Sequence, residues 1–213
     1  QKTIESEYLL KMPKKSSFLD IGSNFGDTVL TMALHAKKNN RYDIRFFCFE
    51  PNKIKCLFIE KVAEINELKI KVYNYCVGYS KGYVISDGIK NTFKGSCSYK
   101  YNNISDGIEV IKIDDINNII EPVGLMHVDT EGWEIEVLKG SNKILNNEKN
   151  SLILICECWS DKIAKSEKNR GRSYNIMSAT PRKDILNLIS KYNFKQLEDI
   201  IDSEDENIAF RIN

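Results

Sequence analysis

The sequence predicts an α/β domain in which a mostly parallel sheet is covered by helices on both faces. Two observations predict it. Short apolar runs alternate with segments whose apolar residues recur at helical spacing, the pattern of buried parallel strands joined by crossover helices. The first run, Phe18-Leu19-Asp20-Ile21, passes into a turn carrying Gly22 and Gly26, and a helical pattern opens directly behind it. A strand, a glycine turn and a helix N-terminus in that order bring bare backbone against a nucleotide-like ligand. At 213 residues the chain can bury one core, so a single domain over 1–213 is expected. The first residue is Gln1 rather than Met, which reads as a domain taken from a longer chain.

The elements follow in order. A lead-in over 1–15 holds a short amphipathic helix at 3–12, with Ile4, Tyr8, Leu9 and Met12 as its apolar side. The first strand is expected at 17–22 and the first crossover helix at 26–38, with Val29, Leu30, Ala33 and Leu34 on its inner stripe. The second strand spans 45–50. Behind Pro51 and Asn52 a second helix carries Ile54, Leu57, Phe58, Val62 and Ile65 at helical spacing. A third strand is expected at 68–77.

The rhythm then breaks. Short strands at 83–86, 96–101 and 109–113, joined by polar Gly and Asn turns, read as a small β insertion over 79–115. The fourth strand is 125–129. A helix starts near Trp133, with Trp133, Val137, Leu138, Ile144 and Leu145 facing inward. The fifth strand is 152–158, and a polar loop with Arg170 and Arg172 follows. Thr180-Pro181 opens the next helix with Pro181 at its first position. Strands at 194–197 and 208–212 close the chain.

Composition excludes several classes. Hydrophobic residues make up 42% and charged residues 29%, ordinary values for a globular domain. The net charge of +1 supplies no field for nucleic acid or an anionic membrane. No apolar run has the length of a membrane span, and no signal-peptide pattern is read. The six cysteines, Cys48, Cys56, Cys76, Cys97, Cys156 and Cys158, show no Cys-x-x-Cys spacing. They read as free buried thiols of a reducing, cytoplasmic compartment.

The chemistry sits at the strand ends. The turn reads Asp-x-Gly-x-x-x-Gly, not the Gly-x-Gly-x-x-Gly that holds a pyrophosphate. A carboxylate in such a turn repels phosphate and suits a ligand with a cationic amine, of which S-adenosylmethionine is one. Glu50 ends the second strand, where a carboxylate can take both ribose hydroxyls of a nucleoside or cap the following helix. Asp129 and Glu131 leave the fourth strand and Glu157 ends the fifth. If those strands are neighbours, the three carboxylates meet on one rim. They could supply a general base or hold a hard divalent cation. Alternatively Glu131 caps the helix at Trp133, and Glu157 meets Arg170 or Arg172. His127 reads as a base or as a hydrogen-bonded core histidine, and His35 as structural. Trp159 reads as a substrate wall or as packing. Lys168, Arg170 and Arg172 read as a phosphate contact or a solvated basic loop.

Three segments taken together resemble the FkbM family of methyltransferases. They are Asp20-x-Gly22-x-Asn24-x-Gly26-Asp27, Phe49-Glu50-Pro51, and Val128-Asp129-Thr130-Glu131-Gly132-Trp133-Glu134-x-x-Val137-Leu138-Lys139-Gly140. The resemblance covers about residues 18–159. It implies a Rossmann-like, class I methyltransferase sheet of seven strands whose last strand is antiparallel. It implies methyl transfer from S-adenosylmethionine to a hydroxyl, often on a sugar or glycosylated natural product. The acceptor expected is therefore a carbohydrate or glycoconjugate, with fusion to further domains such as glycosyltransferases as an expected context.

By the same resemblance the methionine-binding turn maps onto Asp20, Gly22, Ser23, Asn24 and Gly26, and the ribose carboxylate onto Glu50. The adenine contact falls at Cys76 and Val77, where this chain lacks the acidic residue many methyltransferases place. The Asp-x-Glu-Gly motif maps onto Asp129, Glu131 and Gly132 and leaves the identity of the base open. Two other readings stand beside this one. RNA cap 2′-O-methylation usually uses a Lys-Asp-Lys-Glu tetrad, and no lysine stands at a strand end between Asp129 and Glu157. Near-neutral charge also lacks the footprint of an RNA binder. The other reading is an inactive methyltransferase-like binding module.

Overall fold

The computed structural model describes residues 4–86, 99–102, 107–147, 151–158, 180–197 and 207–212. Helix α1 (Ile4–Leu9) precedes β1 (Ser17–Ile21), α2 (Asp27–Lys38), β2 (Arg45–Phe49), α3 (Lys53–Ile65) and β3 (Ile70–Tyr73). Four short strands follow: β4 (Cys76–Val77), β5 (Gly82–Ser86), β6 (Tyr99–Asn102) and β7 (Ile108–Ile111). Helix α4 (Asn117–Ile120) leads to β8 (Val123–Val128), α5 (Glu134–Lys139), α6 (Asn142–Leu145) and β9 (Ile153–Glu157). Then come α7 (Arg182–Ile189), β10 (Phe194–Gln196) and β11 (Asn207–Ile212).

Among the described residues these strands form two sheets. The larger has seven strands in the order β10-β11-β9-β8-β1-β2-β3. β1 runs parallel to β2 and β8, and the parallel pairing continues outward to β3 and β9. β11 is antiparallel to both β9 and β10, so the last strand is reversed as the family resemblance implied. The chain builds outward from β1 to β3, then returns to the other side of β1 with β8. That reversal is the switch point where ligands bind beyond the carboxyl ends of the strands.

Strand alternation sends side chains to two apolar layers. Leu19, Ile21, Phe49, Met126, Val128 and Leu154 pack with Val137 and Leu138 of α5, Ile144 of α6, and Ile185 and Ile189 of α7. On the other face Phe18, Phe46, Cys48, Leu125, Ile153 and Ile155 pack with Leu9 of α1, Val29 and Met32 of α2, and Ile59 of α3. The described cysteines Cys48, Cys56, Cys76, Cys156 and Cys158 are buried and free.

The structure differs from the sequence expectation in several elements. The strand expected at 68–77 is two strands: β3 stays in the large sheet, while β4 pairs with β7 in a second sheet of order β4-β7-β5-β6. The insertion therefore starts at Cys76, and two candidate cofactor residues belong to it. Helix α3 turns Lys55, Cys56, Ile59 and Ala63 inward. Its regularly spaced apolar residues Ile54, Leu57, Phe58 and Ile65 are 47–70% exposed. Small Cys56 and Ala63 let the helix approach, and Ile59 fills the space at Gly26, where a Cβ would lie 2.8 Å from Ile59 Cγ1. Helix α2 buries Val29, Met32, Ala33 and Ala36, so Leu30 and Leu34 lie on the flank of its inner stripe. Finally, Pro181 is the residue before α7, in extended conformation, and not its first helical residue.

Candidate active site

The site begins with the turn after β1. Gly22 and Ser23 N–H both donate to Phe49 O, at 3.0 and 3.2 Å, which ties the turn to the end of β2. Asp129 N–H donates to Ile21 O at 3.0 Å and ties it to the end of β8. Gly22 has a φ of 86°, and a Cβ there would lie 1.8 Å from Asp129 O. Only glycine satisfies both the backbone conformation and the approach. Asn24 and Gly26 also have positive φ, so the turn curls back into the N-terminus of α2.

These ends frame a cleft of about 640 Å³, counting its mouth. Gly22, Asn24 and Glu50 line one side and Asp129, Thr130, Glu131 and Trp133 the other; Ile21, Phe49, Tyr75, Cys76 and Val77 supply apolar wall. Trp133 is fixed by its indole N–H, which donates to Val77 O at 2.9 Å.

Glu50 is buried at the head of the cleft. Its carboxylate accepts Asn24 N–H at 2.9 Å and Asn52 N–H at 2.8 Å. Helix capping, the alternative role for Glu50, falls to Asn52, whose Oδ1 accepts Ile54 and Lys55 N–H. Burial raises Glu50 above the ordinary carboxyl range, and the Asn52 N–H, the Lys55 charge and the Asn24 N–H pull against it. A carboxylate offers about four acceptor positions, so two remain for ligand hydroxyls. These acceptor positions fit the ribose hydroxyls of S-adenosylmethionine.

Asp20 does not line the cleft. Alternation along β1 turns it to the α1–α2 face, opposite His127 in the parallel register with β8. His127 Nδ1 lies 2.8 Å from Asp20 Oδ1, and Nε2 lies 3.8 Å from Glu5 Oε1 of α1. All three are buried. Burial opposes the imidazolium, yet the Asp20 hydrogen bond and the Asp20, Glu5 and Asp129 charges outweigh it and hold His127 above its ordinary value. His127 thus has the surroundings of a core histidine and is absent from the cleft wall.

Asp129 and Glu157 end the adjacent strands β8 and β9, whose register pairs Val128 with Cys156. Burial, the Asp129 charge and hydrogen bonding toward Asp129, with the Glu134 and Glu131 charges adding to them, raise Glu157 far above the ordinary carboxyl range. Glu157 therefore keeps its proton at neutral pH while facing a carboxylate partner, the expected behaviour of two like groups in one site. Among the described residues no group of three or more His, Cys, Asp or Glu side chains is placed to hold a metal ion. Asp129, Glu131 and Glu157 thus do not form a three-carboxylate metal site in this arrangement.

The alternative reading of Glu131 makes it the cap of α5. Glu131 has a φ of 56° in the loop, and the residue preceding α5 makes no side-chain cap. The organising carboxylate is Glu134, fully buried at the first position of α5. It accepts Thr130 N–H at 2.9 Å, Thr130 Oγ1–H at 3.0 Å and Gly132 N–H at 3.1 Å. It also accepts the Thr180 hydroxyl from just before α7. Sequence reading quoted Glu134 without a role; its place one turn inside a glycine loop was the available signal. Lys55 was missed altogether, although a lysine among Ile54, Cys56 and Leu57 stands out. Trp159, Arg170 and Arg172 lie outside the described residues.

The sheet order, the reversed last strand and this cleft define a class I S-adenosylmethionine-dependent methyltransferase domain. The chain belongs to the FkbM methyltransferase family, whose domain matches residues 20–195. It is similar in fold to the methyltransferase FkbM from Methylobacillus flagellatus KT, with 16% identity and a TM-score of 0.52, over 97% of this chain and 50% of that one. It is also similar to OxaC in complex with sinefungin and meleagrin, with 10% identity and a TM-score of 0.56, over 100% and 48% of the two chains. A third is geranyl diphosphate C-methyltransferase from Streptomyces coelicolor A3(2), solved with Mg²⁺, geranyl diphosphate and S-adenosyl-L-homocysteine. It shows 8% identity and a TM-score of 0.55, over 98% of this chain and 78% of that one. The chain spans about half the length of the FkbM methyltransferase structure. No curated protein sequence matches it. No described helix is long and apolar enough to cross a membrane.

Proposed function

We propose that this chain is an O-methyltransferase acting on a hydroxyl of a carbohydrate or glycoconjugate. The observation that carries the reading is Asp129, which lines the cleft, with Glu157 beside it at the end of the neighbouring strand. A sugar hydroxyl is a weak acid, so its proton must pass to a base as the oxygen attacks. Asp129 lines the cleft and takes that proton. Glu157 stays protonated and donates to Asp129, which orients the base.

When bound, S-adenosylmethionine supplies an electrophilic methyl group on a sulfonium, and transfer to oxygen leaves S-adenosylhomocysteine. Glu50 takes the ribose hydroxyls, Cys76 and Val77 line the adenine end, and the 22–26 turn holds the methionine portion. Asp20 acts from beneath that turn by fixing the end of β1 through His127. Glu134 holds the Asp129–Gly132 loop in place. Trp159, Arg170 and Arg172 are proposed acceptor contacts. Methyl transfer at this site is chiefly a matter of alignment, which fixed loops provide.

The test is an acceptor panel with isotope-labelled cofactor, covering free sugars, glycolipid and glycoprotein glycans, and capped RNA. Label recovered as a sugar methyl ether is the expected result. Label on capped RNA with none on any glycan would overturn the acceptor, and label on carbon or nitrogen would overturn O-methylation.

A further inference from the structure

We propose that Lys55 is a working part of the cofactor site: it is the counter-charge that keeps Glu50 charged, and so able to bind ribose hydroxyls, inside a buried cleft. The inference rests on the reading of Glu50 as the ribose carboxylate. Lys55 is only 4% exposed, although it lies in the first turn of a helix whose neighbouring Ile54 and Leu57 face outward. It lines the same cleft as Glu50. Its ammonium lies 5.3 Å from the centroid of the Phe25 ring, in the turn after β1, a cation–π contact that suits a desolvated cation. A lysine is almost never buried without a partner, and its charge acts on the Glu50 carboxylate.

The other groups around Glu50 supply no full positive charge. Asp20, from β1, is a like charge and opposes ionisation. The thiols of Cys48 in β2, Cys56 in α3 and Cys76 in β4 also interact with its charge. Burial raises all three thiols, Cys56 and Cys76 to about 12, so they remain neutral near pH 7. The Asn24 and Asn52 N–H groups supply partial charge only. Lys55 is the full positive charge acting on Glu50 among these groups. Bound cofactor would bury Glu50 further and increase the need for it, since a neutral carboxyl makes the weaker kind of hydrogen bond.

The experiment measures S-adenosylhomocysteine affinity by calorimetry from pH 6.0 to 8.5 in the wild type, Lys55→Met, Lys55→Arg, Glu50→Gln and the Glu50→Gln/Lys55→Met pair. Circular dichroism establishes that each is folded. Once its counter-charge is gone, Glu50 should take up a proton as the pH falls. Lys55→Met should then bind about tenfold more weakly than wild type at pH 6.0 and recover to within about threefold at pH 8.5. Lys55→Arg should follow the wild type. In the Glu50→Gln background, Lys55→Met should add no pH slope, which separates the effect from the titration of His127 beside Asp20. A Lys55→Met that tracks the wild type, or is weakened equally at every pH, would overturn the proposal. If Lys55→Met does not fold, Lys55→Gln takes its place in the same cycle. Unchanged affinity in Glu50→Gln would instead remove the ribose reading on which the proposal stands.

Discussion

Glu157→Gln separates the two carboxyls of the rim. Because Glu157 is held protonated beside the Asp129 charge, its working form is a neutral hydrogen-bond donor, and a glutamine amide is nearly the same shape and also donates. If Asp129 is the base, turnover should survive Glu157→Gln to within about threefold, since no proton-accepting group is lost. Asp129→Asn removes the proton acceptor and should cost about a hundred- to ten-thousand-fold in kcat. Glu157→Ala lies between them. It strips a charge-assisted hydrogen bond from Asp129, about 1.5–3 kcal/mol, or about 10- to 150-fold if all of it orients the base. The assay is the initial rate at saturating cofactor with an acceptor that the wild type methylates, alongside S-adenosylhomocysteine affinity. Affinity should stay within about threefold in all three variants, because removing a group that acts only in the reaction spares binding. A Glu157→Gln enzyme as inactive as Asp129→Asn would refute the reasoning and make Glu157 the base.

The same carboxyl should leave a mark on stability. Folded Glu157 keeps a proton that the unfolded chain loses above the ordinary glutamate pKa of about 4.3, so the folded state binds more protons and stability falls as pH rises from there. Thermal melts should show the wild type losing ground to Glu157→Gln between pH 5 and 8, and parallel curves would contradict the assigned protonation. Gly22→Ala places a methyl 1.8 Å from Asp129 O at a φ of 86°. Overpacking and strain together should cost about 2–6 kcal/mol in urea unfolding, and a loss under 1 kcal/mol would show that the two strand ends can part. Glu134→Ala strands the Thr130 and Gly132 N–H groups, at about 1–3 kcal/mol for each group left buried without an acceptor. Glu134→Gln should recover part of that in the same denaturation assay.

Much of the fold is written locally. The strands at the chain positions of β1, β2, β8 and β9 announce themselves as short apolar runs, because a strand buried on both faces tolerates little else. Gly22 is equally legible, since a positive φ at a strand-to-helix turn is a demand of a few neighbouring residues. The convergence of Asp129 and Glu157 was conditional on β8 and β9 being neighbours, and the sheet order decides that. What reached across the chain was not legible. The carboxylate of Asp20 belongs by sequence to a ligand turn, yet the parallel pairing of β1 with β8 sets it against His127, with Glu5 of the lead-in helix behind. In α3 the apolar spacing pointed to one face, while packing against Gly26 turned another inward and carried Lys55 into the cleft. The division has a physical cause. Periodicity and turn conformation are satisfied within a few residues, whereas the rotation of a helix and the partner of a buried charge depend on volume and charge brought from distant segments.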